Sequence, residues 1–597
     1  MPGQDKQLSN TRKRRRRRRR QVALPAETIS PFRLRLVFSI LLIGLLGLVS
    51  RMAWLQIHQT TELQARARAF QIQKIQPLGA RRSIVDRNGR LVALDEQRFH
   101  LWAHPNNFRF PGDDSRSLRT PVDVARKLAG LVPKTTQELV DLIGDRSSGV
   151  RLARDIEPEV ASEIKKLGIS GLELEPYLQR VYPQGELFAN VVGFLNDDRV
   201  PLAGLEQSLN EMLSRKKEPV RRLRLAGDDT PLPDDLAPGV FFRDDAQLQL
   251  TLDSRLQELS AKALEVAISD WSAKKGVAIV MDVTNGEILA LASAPTYNPN
   301  RFWDYSPALY KEWSVQDLFE PGSTFKPINL ALALQEGVIT PDGTVNDTGI
   351  IKVGGWSLRN YDLGSNGVLN FAEVLQASSN IAMVKVMQNL KPSRYWDWLH
   401  RLGVNQTPNT DLPGAVAGYL KPKKEFVDKP IEPAVASYGH GLSLTPLKLA
   451  QLHALIANGG YLVSPHITRG VKGVEPLRPS GRSNGEPLLR PEVTRVVRGW
   501  MESVVETDSV YGFKKIDGYR IGGKTGTADK LVNGVFGGGL KICSFVANLP
   551  ADNPRYVVLV VVDEPRGGGA YGSTVAAPAA KKIIEGLLVL EKIPPSD

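Results

Sequence analysis

The sequence predicts an α+β protein carried by one membrane-spanning helix. Three observations predict it. An uncharged run from Leu36 to Ser50 follows a cluster of arginines, apolar strand-like stretches at 277–292 and 543–562 lie far apart in the chain, and the segments between them have helical spacing. With 597 residues, 42% of them hydrophobic, the chain can bury large cores and build several domains.

The membrane segment comes first. LVFSILLIGLLGLVS at 36–50 continues through Trp54 to Ile57, reaching the ~20 apolar residues that cross a ~30 Å hydrocarbon core, so a transmembrane helix is placed at 36–57. No small-x-small cleavage site follows, which favours an uncleaved anchor over a signal peptide. Arg51 lies near its outer end, where it can snorkel to the headgroups or face a partner helix.

The formal charge of +13 is concentrated in residues 1–35, where twelve Lys/Arg face only Asp5 and Glu27. The run Arg12 to Arg20 has the composition of a nucleic-acid arm, but arginines flanking a membrane span are the positive-inside pattern. Residues 1–35 therefore read as a cytoplasmic basic tail with no nucleic-acid role, and the chain after 57 as lying on the outer side of the cytoplasmic membrane. One cysteine, Cys543, excludes an intrachain disulfide.

Beyond the anchor, residues 58–75 look helical, and Asn88-Gly89 between apolar alternations marks a hairpin. Residues 96–240 mix short strands with charged helices such as 155–167, and 58–240 together form a first domain beyond the anchor. The texture changes near 240. A strand-like 247–253 and an amphipathic helix at 254–273 open a second domain, 241–597. The hairpin 277–292, helices at 323–336, 371–390, 394–402 and 445–457, strands at 543–548 and 556–562, and a closing helix at 577–591 complete it.

The chemistry starts at Ser323 and Lys326. Three residues apart at the start of a helical run, both side chains share one face, so a neutral Lys326 amine can take the Ser323 proton. By itself the pattern is common, recurring at Ser162/Lys165, Ser214/Lys217 and Ser272/Lys275. Two further elements raise its meaning: Ser378-Ser379-Asn380 at the end of an apolar helix, and Lys524-Thr525-Gly526-Thr527. Ser-x-x-Lys, Ser-x-Asn and Lys-Thr-Gly, in that order, form the signature of serine acyl-transferring enzymes that react with penicillin.

Each residue has a role in such a scheme. Ser378 relays a proton between Lys326 and the leaving amine, and Asn380 hydrogen-bonds the substrate peptide. Lys524 supplies positive charge that favours a neutral Lys326 and attracts a carboxylate. Thr525 and Thr527 bind that carboxylate, an edge strand through Gly526 accepts the peptide by strand addition, and the N–H groups of Ser323 and Thr527 form an oxyanion hole. Gly518 to Thr525 also spells the phosphate-loop pattern G-x-x-x-x-G-K-T, but the residues that follow are poor helix material. No H-E-x-x-H stands in the chain and its seven histidines are scattered, so no metal and no cofactor are expected; His440 reads as structural.

The contexts FEPGSTFKP (319–327), QASSNIAMVK (376–385) and SYGHGLSLTPLKLA (437–450) resemble class B penicillin-binding proteins, and RRSIVDRNG (81–89), RVYPQGELFANVVGF (180–194) and AGLEQSLN (203–210) resemble their pedestal, or dimerisation-type, domain. The resemblance implies a penicillin-binding domain like the serine β-lactamases, with a central antiparallel sheet of five strands between helices. It implies attack on the D-Ala-D-Ala bond of peptidoglycan stem peptides, transfer of the acyl group to a neighbouring amine, and β-lactams as covalent inhibitors. SYGHGLSLTPLKLA and KTGTADK look more like the division enzyme than the elongation enzyme, which implies a SEDS-family glycosyltransferase and divisome membrane proteins as partners. An elongation-type enzyme and a membrane-bound β-lactam sensor that acylates without turnover are the alternatives.

Overall fold

The structure is a computed structural model that describes residues 31–60, 63, 72–75, 80–114, 118–214, 220–223, 246–472, 486–507, 512–532 and 535–596. The basic run Arg12 to Arg20 and the boundary expected at 240 lie outside the described residues.

The chain divides into two compact units, residues 1–76 with 219–237, and residues 77–218 with 238–597. In the first, a helix runs from Pro31 to Ile57. It begins a few residues before the expected span, and its apolar side chains are exposed on all sides, as in a helix whose solvent is lipid. Among the described residues it is the one helix long and apolar enough to cross a membrane. The same unit holds a two-stranded antiparallel ribbon, Ile72–Ile75 with Val220–Leu223. Residues 72–75 are thus a strand, where helical spacing had been expected; their partner strand is distant in sequence, a pairing local spacing cannot show.

The second unit is built on two sheets. The larger core surrounds a five-stranded antiparallel sheet in the order Gly522–Val532, Val535–Leu549, Tyr556–Asp563, Lys275–Asp282, Ile288–Ala294. Tyr556–Asp563 is buried at every residue, which is why it reads as an unbroken apolar run: helices cover both faces. Ser254–Asp270 and Ala577–Leu590 pack together as one cover, and Pro446–Ala457, buried at every residue, lies in the other. Among the described residues Gly522–Val532 pairs only with Val535–Leu549, leaving a free edge.

The second sheet has six strands and draws on both halves of the sequence. Ile84–Val85 pairs antiparallel with Leu91–Ala103 and parallel with Leu248–Leu250, which pairs in turn with Thr468–Val471. Val150–Ile156 and Leu172–Val181 both pair with Leu91–Ala103. The strand expected to open the second domain is therefore hydrogen-bonded to the pedestal-like segment. Asn88 Nδ2 donates to Asp253 Oδ2 at 2.9 Å, and Ser254 Oγ to Asp86 at 2.6 Å, across the same seam.

A buried ion network fastens the pedestal end. The Arg180 guanidinium meets Glu206 at 2.7 Å and Asp95 at 3.2 Å, and Arg81 meets Glu206 at 2.8 Å and Asn210 at 2.6 Å. Arg180, Asp95 and Glu206 are at most 2% exposed at their side chains. Removing one partner strands charge away from water, so Arg180→Met is expected to cost about 3–5 kcal/mol, read as a lowered denaturant midpoint for the full chain.

Candidate active site

The nucleophile-bearing turn is a short 3-10 segment, Gly322–Phe325, feeding the helix Lys326–Gln335. Pro327 suits the first helical turn, where its missing N–H costs nothing. The turn is clamped by backbone contact: the Gly322 N–H donates to the Gly439 carbonyl at 3.0 Å, and a Cβ on Gly439 would lie 2.1 Å from the Gly322 carbonyl oxygen. Gly439 also has φ +85, so this position takes glycine on two counts. His453 adds a third hold. Its Nε2 lies 2.8 Å from the Thr324 carbonyl, which can only accept, so Nε2 carries the hydrogen; burial pushes the imidazole down to about 4 and keeps it neutral.

The second motif does not close a long helix. The stretch expected as one helix over 371–390 is two, Phe371–Gln376 and Asn380–Met387, broken at Ser378, whose φ is +53. A serine in the left-handed region is strained by roughly 1–3 kcal/mol, and tertiary contacts hold it there. Ser379 caps the second helix by accepting from the Ala382 N–H at 2.9 Å. Asn360 does more: its Oδ1 accepts from the N–H groups of Asn380 and Ile381 at 2.9 and 3.1 Å, while its Nδ2 donates to both oxygens of buried Asp347 at 2.9 and 2.7 Å. Asp347 lies below the usual carboxylate range: burial opposes this, and bonds from Asn366, the Gly349 N–H, Ser379 and Asn360 outweigh it.

The third motif lies on the edge strand. Lys524 to Thr527 pair residue by residue with Val546 to Cys543, and the strand passes against the nucleophile turn. Gly526 permits the approach, since a Cβ there would meet Ser544 Oγ at 2.4 Å and Thr324 Cγ2 at 2.9 Å. The same strand disposes of the phosphate-loop reading: Lys524 and Thr525 sit inside an antiparallel strand, where no helix N-terminus can hold a phosphate.

The three elements converge on one oxygen. Ser378 Oγ lies 3.0 Å from Ser323 Oγ, 3.0 Å from Lys524 Nζ and 3.3 Å from Lys326 Nζ. Lys326 Nζ also donates to the Asn380 side-chain oxygen at 2.8 Å and to the Ser378 carbonyl. No hydrogen bond joins Ser323 Oγ to Lys326 Nζ among the described residues. Besides the direct transfer expected from their spacing, Ser378 offers a second path, since its hydroxyl can turn to accept from one neighbour and donate to the other.

Both lysines are out of water, Lys326 at 0% and Lys524 at 1% exposure. Burial, with the repulsion of Lys524 next, pushes the Lys326 amine well below its ordinary range against the pull of Asp347. Burial alone pushes Lys524 down to about 7. Two fixed acceptors, the Ser378 carbonyl and the Asn380 oxygen, take two hydrogens of a neutral Lys326 and leave its lone pair for Ser378 Oγ. The sequence-derived residues Ser323, Lys326, Ser378, Asn380 and Lys524 thus meet at one point, with Thr525, Gly526 and Thr527 on the adjoining edge. Sequence reasoning missed Asn360, Asp347, Gly439 and His453: Asn360 and Gly439 stand in irregular segments, Asp347 ends a short strand, and His453 is a single polar residue within the helix Pro446–Ala457.

Comparison with known proteins agrees with this geometry. Residues 276–585 match the penicillin-binding protein transpeptidase domain, and residues 77–219 match the penicillin-binding protein dimerisation domain. The chain is 34% identical to a "peptidoglycan D,D-transpeptidase FtsI homolog" of Mesostigma viride, over 94% of this chain and 96% of that one. It is 32% identical to the peptidoglycan D,D-transpeptidase FtsI of Escherichia coli K12, over 94% and 92%. A crystal structure of a peptidoglycan synthetase from Bifidobacterium adolescentis superposes with a TM-score of 0.65 at 25% identity, covering 88% of this chain and 98% of that one.

The two lysines titrate as a coupled pair. Raising the pH frees the Lys326 lone pair and speeds acylation; raising it further strips Lys524 of its charge, near 7 in the free protein, and slows it. A bell-shaped rate of acylation is expected, with both limbs below lysine's ordinary 10.5. The alkaline limb should move upward in kcat relative to kcat/KM, because a bound substrate carboxylate stabilises the Lys524 ammonium.

Proposed function

The chain belongs to the class B penicillin-binding proteins, the membrane-anchored peptidoglycan D,D-transpeptidases, and we propose that it cross-links stem peptides through an acyl-enzyme on Ser323, in septal wall synthesis. The observation that carries this is the convergence of Ser323, Lys326 and Lys524 on the hydroxyl of Ser378 beside a free strand edge.

The donor peptide adds to Gly522–Val532 as an extra strand, its terminal carboxylate at Thr525 and Thr527 under the charge of Lys524. Ser323 Oγ attacks the carbonyl carbon of the penultimate D-Ala, and its proton passes over Ser378 to Lys326. The N–H groups of Ser323 and Thr527 receive the oxyanion, a contribution of about 3–4 kcal/mol for one such donor. The C–N bond then breaks, the departing D-Ala amine takes the proton from Lys326 by way of Ser378, and Asn380 holds the acyl peptide. An amine of a second stem attacks the ester, gives its proton to the same pair, and releases Ser323 with its hydrogen restored. A β-lactam enters at the first step and stays.

The septal assignment is supported by the FtsI names of relatives that match nearly end to end. We place the N-terminus in the cytoplasm and the catalytic domain on the outer side of the cytoplasmic membrane, on the strength of the arginines before the span. Strand polymerisation would fall to a SEDS-family glycosyltransferase, with other divisome membrane proteins assembled around the pair.

The intact mass of detergent-solubilised chain after incubation with penicillin tests the reading. One stable adduct is expected on the native chain and none on Ser323→Ala; an adduct that survives the substitution would move the nucleophile elsewhere. Release of D-Ala from a stem peptide separates the transpeptidase from a sensor, which takes the adduct and turns over no peptide.

A further inference from the structure

The loop from Ser437 to Leu444 holds the nucleophile turn from one side, and it carries a group that titrates. Phe319 and Leu444 exchange both backbone hydrogen bonds at 3.0 Å, and the Gly322 N–H donates to the Gly439 carbonyl. Between these two ties stands Glu320. Its Oε1 accepts from the Gly441 N–H at 3.0 Å, and its Oε2 lies 3.0 Å from His440 Nδ1. That second oxygen is shut off from water, and among the described residues no aligned hydrogen bond reaches it, so what it gains from the imidazole is charge. The His440 and Glu320 side chains are 22% and 19% exposed, which leaves the pair only partly screened by solvent.

The other ionisable groups around the pair do not stand in for the imidazole. The Tyr438 ring lies 5.3 Å from that of His440, and burial, with the Glu320 charge next, pushes its hydroxyl up to about 12, so it stays neutral. Glu432, on the helix Ile431–Ala436, reaches the loop from the far side, its Oε2 3.7 Å from where a Cβ on Gly441 would stand. It is answered by Lys421 at 3.6 Å, which also meets Glu425 at 3.2 Å. Lys421 thus serves Glu432 and Glu425, and the positive charge that faces Glu320 is that of His440.

We propose that His440 is a positioning residue: as an imidazolium it draws the 439–441 loop onto Glu320 and so fixes the Gly322–Ser323 peptide, whose N–H receives the oxyanion. The inference rests on the acyl-enzyme reading of Ser323 above. Imidazole is the side chain whose charge changes between pH 5 and 8, so the turn is held most firmly on the acid side of that range. The oxyanion forms only as the acyl bond is made. A loosened turn therefore lowers the rate constant of acylation and leaves the noncovalent affinity for penicillin as it was.

The test measures acylation of the full chain in detergent by labelled penicillin, at several concentrations and from about pH 5 to pH 9, so that rate constant and noncovalent affinity separate. His440→Gln keeps a neutral donor and removes the charge. Taking the ratio of native to His440→Gln rate constants cancels the titration of Lys326 and Lys524, which the two chains share. That ratio is expected at about fivefold on the acid side, the upper end for a partly exposed ion pair, and to fall to about one on the alkaline side, with affinity unchanged. In a Glu320→Gln chain, the further His440→Gln substitution should change nothing that depends on pH. A ratio that is flat across the range, an effect confined to affinity, or a pH-dependent effect that survives Glu320→Gln overturns the inference. A native chain that takes no penicillin at any pH overturns the acyl-enzyme reading on which it stands.

Discussion

Two lysine side chains without access to water reach the same serine oxygen, and so small a site cannot keep two full positive charges cheaply. Placing a second ammonium a few ångströms from the first, with no water to screen it, is the cost that the arrangement avoids by letting Lys326 give up its proton. Asp347 pulls the other way, but its carboxylate is occupied by Asn360 and Asn366, which turn its charge toward holding the Asn380 helix. The basicity of Lys326 and the polarity of Lys524 are thus two outcomes of one constraint.

That constraint dictates the rest of the second unit. Three pieces of chain, the turn at Gly322–Phe325, the break at Ser378 and the edge strand at Gly522–Val532, have to meet within hydrogen-bond distance, and each is fixed by something behind it. The turn leans on Gly439 and His453, the break on Asn360, and the strand on Val535–Leu549 and the fully buried Tyr556–Asp563. The strained Ser378 backbone is the local consequence: a regular helix through 377–379 would turn its hydroxyl with the helix face, whereas the break aims it at Ser323 and both lysines.

Much of this was legible in the sequence because it is local. Asn285-Gly286 between apolar runs gives the hairpin 277–292, the apolar stretches at 543–548 and 556–562 pair as their composition requires, and the free edge at 525–527 follows from the strand order. The three motifs announce Ser323, Ser378 and Lys524 by residue type and spacing. What stayed hidden depends on distant partners. The break inside Phe371 to Met387 is marked locally only by Ser378-Ser379-Asn380, N-cap residue types set between apolar flanks, and the residue that enforces it, Asn360, sits in an irregular segment about which periodicity is silent. The sharing of Leu248–Leu250 with Ile84–Val85, and the Arg81, Asp95, Arg180 and Glu206 network, join residues whose separation in sequence leaves no trace in either neighbourhood.

The protonation of the two lysines is the central claim, and neutron diffraction from deuterium-exchanged crystals near neutral pH reads it directly. The account predicts two deuterons on Lys326 Nζ, directed at the Ser378 carbonyl and the Asn380 oxygen, with Ser378 Oγ facing the lone pair, and partial occupancy of a third deuteron on Lys524, whose amine is pushed down to about 7. Three deuterons on Lys326 would contradict it, because a buried ammonium there has no lone pair to receive the Ser323 proton.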